Sequence, residues 1–219
     1  MGAQWKHRIR QASATAKGRA FTKLTKELIM AAKAGADPAT NARLRAAIET
    51  AKKASMPRDT LERAIKKGAG QLESEHYESL VFEGFAPHQV AVMVECLTDN
   101  AKRTGTNIKH IFRHGQLTPV AWDFDHVGII EATGEGDATE AAIECGAQDF
   151  ADETFYTNPT DLDAVAKALT ARGWTVATMR LGWRAKNPVV LDDTARAEVE
   201  AFLTELDDDD DVQHIYAAM

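Results

Sequence analysis

Apolar side chains in the first third of the chain recur at steps of three and four, the spacing that places them on one face of an α-helix. In the first predicted helix, residues 19–34, the apolar positions are Phe21, Leu24, Leu28 and Ala31. A second helix is predicted over residues 42–54, with Asn41 as its N-cap. A third has Pro57 at its first position and ends at Gly68. The pattern therefore predicts a three-helix module.

From Tyr77 onward the pattern changes to β-branched and aromatic runs typical of strands. Residues 80–85 and 90–97 flank a Pro-containing turn at residues 86–89, which predicts a β-hairpin. The segments that follow are a helix over residues 103–113 and alternating strand-like runs at residues 120–124 and 128–132. This order predicts an α+β sandwich in which a helical layer covers an antiparallel sheet.

The remaining pattern predicts a smaller α/β unit, followed by a final helix and strand that return to complete the first sheet. The predicted helices are residues 138–145, 161–172 and 192–206, and the predicted strands are residues 155–156, 174–183 and 212–216. We therefore predict three domains: a helical domain over residues 1–72, a central α/β domain over residues 75–132 and 190–219, and an inserted α/β domain over residues 133–189.

Charge separates the helical module from the rest of the chain. Residues 1–70 hold 16 Lys and Arg against 5 Asp and Glu, whereas residues 71–219 hold 10 against 28. The formal net charge of −7 conceals this separation. Because a module with so few carboxylates cannot neutralise its own cations, it is expected to bind a polyanion and to release counterions on binding.

Other functional classes are disfavoured by the sequence. The longest apolar run, Val90 to Val94, is far shorter than the roughly 20 residues of a membrane span, and the N-terminus has no apolar secretion signal. Cys96 and Cys145 are too few for a disulfide framework or a zinc knuckle. We therefore expect a cytoplasmic protein without a cofactor or a small-molecule substrate. The lack of nucleotide-binding and nucleophile motifs predicts no enzymatic activity.

Three short motifs have both a structural and a functional interpretation. The run Gly134-Glu135-Gly136-Asp137 resembles a dinucleotide loop, but its acids would repel a pyrophosphate, so a turn is predicted. His110 and His114 are one helical turn apart without an evident third zinc ligand, which favours a packed or surface pair. The acids of Asp207–Asp211 lack the spacing of a calcium loop and are interpreted as a solvated turn.

Five runs of sequence stand out as a set. Residues 17–23 read KGRAFTK, and residues 41–49 and 56–68 read NARLRAAIE and MPRDTLERAIKKG. Residues 95–104 read ECLTDNAKRT and are followed by His110-Ile111-Phe112, and residues 210–216 read DDVQHIY. Together they resemble the YebC/PmpR family, which includes the mitochondrial translational activator of cytochrome c oxidase. The resemblance extends over nearly the whole chain.

The resemblance implies a helical N-terminal domain and two α/β domains, with the end of the chain returning to the middle one. It also implies a cytoplasmic, nucleic-acid-associated regulator without catalysis. Some members of the family are assigned as DNA-binding transcriptional regulators, and others act in translation on ribosomes or messenger RNA; the fold does not choose between them. This sequence departs from the family at Gln4 to Arg8, at the turn of residues 86–89 and in the shortened loop of residues 116–119. Loss of glycine there makes positive φ angles costlier.

The leading prediction is a non-enzymatic regulator of gene expression that binds DNA through phosphate contacts, which position a protein without reading sequence. The first contacts are predicted in a basic arm, expected to be mobile or weakly helical, and at the start of the first helix: Lys6, Arg8, Arg10, Lys17, Arg19 and Lys23. The cations that extend this track are Arg45, Lys52, Lys53, Lys66 and Lys67. Two alternatives use the same cations: a ribosome-associated translation factor acting on decoding or stalling, and an adaptor for an acidic protein.

Overall fold

A computed structural model describes residues 14–73, 76–151 and 153–219. Over these residues the chain forms seven α-helices and two four-stranded sheets, with the helical segment first, and the predicted α+β class is confirmed. The described residues divide into two compact units. Unit 1 comprises residues 14–23, 76–125 and 183–219, and unit 2 comprises residues 24–73, 126–151 and 153–182. The boundaries of the three domains given above stay a prediction.

The N-terminal helices are α1 (Ala14–Lys33), α2 (Ala42–Lys53) and α3 (Arg58–Gly68). The elements that follow in chain order are β1 (Glu78–Phe85), β2 (Ala91–Thr98), α4 (Ala101–Ile111), β3 (Gln116–Leu117), β4 (Phe124–Thr133), α5 (Ala138–Cys145), β5 (Asp149–Ala151), β6 (Thr154–Thr157), α6 (Leu162–Ala171), β7 (Thr175–Ala185), α7 (Asp193–Asp207) and β8 (Val212–Ala217). Three short 3-10 turns at residues 87–89, 112–114 and 121–123 interrupt the chain in unit 1.

Helix α1 differs from its prediction in two respects. The chain is already helical at Ala14 and not only from residue 19, so Lys17 belongs to the helix and not to the arm that the sequence suggested. The alanines of this stretch favour a helix by intrinsic propensity, which the search for an apolar stripe did not detect. Lys26, which the periodicity placed outside the stripe, is 7% exposed. Its long aliphatic stem makes such burial compatible with a charged end group.

The helices of unit 2 approach one another closely through small side chains. A Cβ atom at Gly68 would lie 2.3 Å from the carbonyl oxygen of Ile29 and 2.6 Å from Cβ of Ala32, so only glycine fits at the end of α3. The predicted N-cap at Asn41 is confirmed, because its side chain accepts a hydrogen bond from the Leu44 N–H at 3.0 Å. The same side chain donates to the Ala31 carbonyl at 2.8 Å, which joins the end of α1 to the start of α2.

The sheet of unit 1 has the strand order β3-β1-β2-β8. Strands β1 and β2 pair antiparallel from Glu78 opposite Thr98 to Phe85 opposite Ala91, as the predicted hairpin requires. At its turn, His88 has a φ of 60° and Gln89 a φ of 59°. These are left-handed backbone conformations, which were expected to be costly here because the turn has no glycine. Each costs roughly 1 kcal/mol or more in a residue other than glycine. The turn is anchored by His88, whose ring Nε2 lies 2.8 Å from a carboxylate oxygen of Glu198.

The end of the chain completes this sheet, as predicted. Strand β8 pairs antiparallel with β2, with Val92 opposite Ala217 and Val94 opposite Ile215. Alternate β2 side chains face a core shared with α4 and α7, in which the rings of Phe112 and Phe202 meet edge to face at 5.2 Å. The return of α7 and β8 therefore places the acidic run that links them, residues 207–211, beside the end of β2.

One predicted strand is wrong. Residues 120–124 were expected to form a strand of their own, but residues 121–123 form a 3-10 turn and β4 begins only at Phe124. Side chains impose the turn: the Glu83 carboxylate accepts from the N–H groups of Val120 and Ala121 at 2.8 and 2.9 Å. Such side-chain bonds compete with a strand ladder for the backbone. The turn leaves Trp122 65% exposed.

The sheet of unit 2 has the order β5-β6-β4-β7. Its core is centred on Phe155, which is fully buried and lies between the rings of Phe150 and Trp174, at 4.7 and 5.2 Å. Helices α5 and α6 contribute further core side chains, among them Val165 and Leu169.

Candidate nucleic-acid interface

Two predicted phosphate contacts at the start of α1 are paired with carboxylates of the same unit. The Arg19 guanidinium lies 2.7 Å from a side-chain oxygen of Asp208. The Lys23 ammonium lies 3.0 Å from a side-chain oxygen of Asp207 and donates to the backbone carbonyl of Asp207 at 2.6 Å. The side chain of Arg19 is 34% exposed and that of Lys23 is 16% exposed. Neither cation is therefore open to a polyanion while these pairs are formed.

The acids that make these pairs stand at the end of α7. Asp207 is the last residue of the helix, and a lysine donating to a terminal carbonyl supplies a hydrogen bond that the helix itself cannot provide. The positive charge also interacts favourably with the negative end of the helix dipole. The sequence did not reveal this contact, because residues 23 and 207 are 184 positions apart and the acidic run was interpreted as a solvated turn. The turn itself is confirmed at residues 208–211, where Asp208 and Asp210 are exposed. The interpretation is wrong for Asp211, which is buried, and for Asp207, which pairs with Lys23.

The rest of the acidic run is held by hydrogen bonds. Asp209 accepts from the backbone N–H of Asp211 at 2.9 Å and from the side-chain amide of Asn107 at 3.1 Å. Asp211 is 3% exposed and accepts from the Thr104 hydroxyl at 2.7 Å and the Thr98 hydroxyl at 3.2 Å. Hydrogen bonds and burial thus fix the backbone of this turn.

Arg103 completes the cluster around Asp211. Its guanidinium donates to the two carboxylate oxygens of Asp211 at 2.8 and 3.2 Å and to Asp99 at 2.7 Å. The hydrogen bond to Asp211, followed by that to Asp99, raises the pKa of Arg103 above its ordinary value. The run of residues 95–104 that carried part of the family resemblance therefore has a structural role, because it binds the acidic turn.

Helix α2 presents its predicted cations to solvent. Arg45, Lys52 and Lys53 are all exposed. Lys52 lies 2.8 Å from a carboxylate oxygen of Glu49, and its hydrogen bond is the main cause of a lowered pKa for that carboxyl group. Because Lys52 and Lys53 occupy the last turn of α2, they also stabilise the helix through its dipole.

Helix α3 repeats this arrangement. Lys66 is exposed and Lys67 is half-buried, and both lie in the last turn. Glu62 and Lys66 are four residues apart, a spacing that allows an ion pair. Glu62 accepts instead from Arg58 at 2.7 Å, which lowers the pKa of Glu62. Within the described part of the chain, no ion pair involves Lys53, Lys66 or Lys67, so these cations are available to an external anion.

The candidate residues that the structure describes are thus distributed over both units. Arg19 and Lys23 belong to unit 1, and the five candidates of α2 and α3 belong to unit 2. Lys17 lies in the first turns of α1, but its side chain is outside the described part of the structure, as are Lys6, Arg8 and Arg10 altogether. Within residues 24–73, the exposed cations absent from the candidate set are Lys33, Arg43, Arg58 and Arg63. Their positions outside the apolar stripes would have identified them.

The other motifs have structural roles in the described part of the chain. Asp137 caps α5 by accepting from the N–H groups of Thr139 and Glu140, so its carboxylate occupies the position where a dinucleotide phosphate would bind. The ring Nε2 of His110 lies 2.6 Å from Arg113. Cys145 is buried, and burial raises the pKa of its thiol.

Residues 14–73, 76–151 and 153–219 contain neither a candidate metal site nor a helix able to cross a membrane. No group of three or more His, Cys, Asp and Glu side chains is arranged there to hold a metal ion. None of the helices described there has both the length and the apolar character that a bilayer crossing requires.

The fold has a close counterpart among solved structures. A conserved hypothetical protein from Aquifex aeolicus superposes with a TM-score of 0.81 at 39% identity, over 92% of this chain and 89% of that one. Proteins with a basic helical segment followed by an α+β region with two antiparallel sheets therefore form a class that has known members. Within that class, the family model of the TACO1/YebC N-terminal domain matches residues 2–71, and the model of the TACO1/YebC second and third domain matches residues 77–219. The chain belongs to the TACO1/YebC family.

Curated relatives match over the full length of the chain. A protein of Pseudomonas fluorescens is 56% identical over 100% of this chain and 99% of its own. A protein of Bdellovibrio bacteriovorus is 50% identical over both full lengths, and one of Thermoanaerobacter pseudethanolicus is 41% identical over 91% of this chain and 87% of its own. Each carries the name probable transcriptional regulatory protein, which indicates a regulatory role and is not the name of an enzyme.

Proposed function

We propose that this protein is a non-enzymatic regulator of gene expression that binds DNA through its basic helical segment. The observation that carries the proposal is the pair of lysines closing each of α2 and α3, of which Lys53, Lys66 and Lys67 have no ion-pair partner among the described residues. The names of the relatives point to transcription and hence to DNA as the polyanion.

The charge distribution supports this assignment of the surface. Residues 24–73 hold ten Lys and Arg against six Asp and Glu, whereas residues 76–219 are strongly acidic. Repulsion from phosphates keeps the acidic part off the nucleic acid and leaves the helices as the contacting surface. Affinity then arises from counterion release, and contacts of this kind give little preference for sequence.

Binding to DNA, RNA and ribosomes can be compared directly. Fluorescence anisotropy of the full chain with a labelled duplex DNA at about 50 mM salt is expected to give a Kd of about 1 µM or tighter. Promoter DNA from the source cell should show protection in a footprint. Co-sedimentation with ribosomes from an extract without any binding to duplex DNA would end the DNA-binding proposal and favour a ribosome-associated translation factor. Absence of binding to DNA, RNA and ribosomes alike would favour the adaptor.

A further inference from the structure

We propose that Asp207 and Asp208 form an autoinhibitory contact, in which the chain's own carboxylates occupy phosphate-binding cations at the start of α1. The inference rests on the proposed function, because it describes the regulation of the same basic helical segment. It depends on contacts within unit 1, where the two acids pair with Lys23 and Arg19.

The cations have the geometry of a phosphate-binding pair. Arg19 and Lys23 are four residues apart on α1, so both side chains project from the same face of the helix. Their nitrogens lie 2.7 and 3.0 Å from carboxylate oxygens, which is the distance range of charge-assisted hydrogen bonds to carboxylate and phosphate alike. An oxygen anion of either kind can therefore occupy this position.

The acids are held in place by the remainder of their own run. Leu206 and Val212 are both fully buried on either side of it, and Asp211 is fixed by the Thr98, Thr104 and Arg103 cluster. Four of the five acids thus have divided roles, since Asp209 and Asp211 hold the turn while Asp207 and Asp208 face the cations. Little conformational entropy is lost when a fixed carboxylate meets its cation, which makes it an effective competitor.

The contact remains displaceable. The Asp208 side chain is 53% exposed and that of Asp207 is 35% exposed, so solvent and salt screen both pairs. A polymer with closely spaced phosphates can replace these two carboxylates, whereas an isolated anion gains too little to do so. The contact therefore reduces binding to polyanions of low charge density, whereas polyanions of high charge density remain ligands.

The test is a pair of matched double substitutions in the full chain. Asp207→Asn with Asp208→Asn removes the competing charges, and Asp193→Asn with Glu205→Gln makes the same change of charge on exposed positions of α7 for which no partner is described. Affinity for a duplex DNA at about 100 mM salt is expected to rise about three- to ten-fold in the first variant and less than two-fold in the second. The slope of log K against log salt should become steeper by about two, because two more cations meet phosphates.

A third variant identifies the contact itself. In a protein that carries Arg19→Gln and Lys23→Gln, adding the two Asn substitutions is expected to leave the affinity unchanged, because the cations they would free are gone. An equal gain in both charge-matched variants, or a gain that persists without Arg19 and Lys23, would overturn the proposal in favour of general repulsion. If the wild type binds DNA but the variant with both Asn substitutions gains no affinity, the proposal is overturned as well. A wild type that fails to bind DNA refutes the proposed function instead. If the double Asn variant unfolds, Asp208→Asn alone removes the Arg19 pair and gives the same test.

Discussion

Replacement of Lys52, Lys53, Lys66 and Lys67 by Glu is expected to weaken binding of the full chain to duplex DNA by about 100-fold or more at low salt. Four cations that attract phosphates become four anions that repel them, in the last turns of α2 and α3. The slope of log K against log salt should flatten by about three to four, since four phosphate contacts are lost. Anisotropy titrations at several salt concentrations measure both quantities.

A control with the same change of charge separates the surface from net charge. Lys102, Lys109, Arg113 and Lys167 are exposed cations outside the helical segment, and their replacement by Glu makes an equal change in total charge. This variant is expected to lose less than ten-fold in affinity and to keep the wild-type slope. Equal losses in both variants, with circular dichroism showing both folded, would mean that α2 and α3 do not form the contact.

Asp211→Asn is expected to lower the free energy of unfolding by about 2–3 kcal/mol. The side chain of Asp211 is almost completely buried and receives hydrogen bonds from Thr98, Thr104 and Arg103. Removing its charge leaves these donors with a poorer acceptor. The loss stays below that of a fully buried ion pair, because the Arg103 side chain is 47% exposed and can turn to water. Urea unfolding followed by fluorescence gives the change in midpoint.

Asp99→Asn is the control for this effect. Asp99 pairs with the same guanidinium at 2.7 Å, but its side chain is 38% exposed, so its loss is expected to cost less than 1 kcal/mol. If the two variants unfold at the same urea concentration, the cluster around Asp211 does not hold the acidic turn. The fixed position of Asp207 and Asp208 would then need another cause.

Local patterns in the sequence predicted most of the fold. The apolar steps that indicated α2, the Asn41 cap and the hairpin between β1 and β2 are all interactions of residues close together along the chain. The return of β8 to the first sheet, although a long-range pairing, was also predicted from the order of elements. The turn at residues 121–123 was missed because Glu83, far away in sequence, supplies the acceptor that bends it.

The candidate site was predictable to a smaller extent. Composition identified a cationic segment, and helix periodicity identified which of its lysines lie outside the core, as Lys52 and Lys53 show. Periodicity was wrong for Lys26, which is buried. It also could not show that Arg19 and Lys23 face Asp208 and Asp207, because that contact depends on how the end of α7 is placed by tertiary structure. A run of like charges can be recognised in the sequence, but the cations that pair with it can be identified only in the folded structure.

The salt dependence of DNA binding by the wild-type full chain tests the central claim most directly. If about six cations of the helical segment meet phosphates, log K for a duplex DNA falls against log salt with a slope near −5 between about 50 and 200 mM. A slope shallower than about −1, or no detectable binding at 50 mM salt, would contradict the claim that this segment holds nucleic acid by neutralising its phosphates.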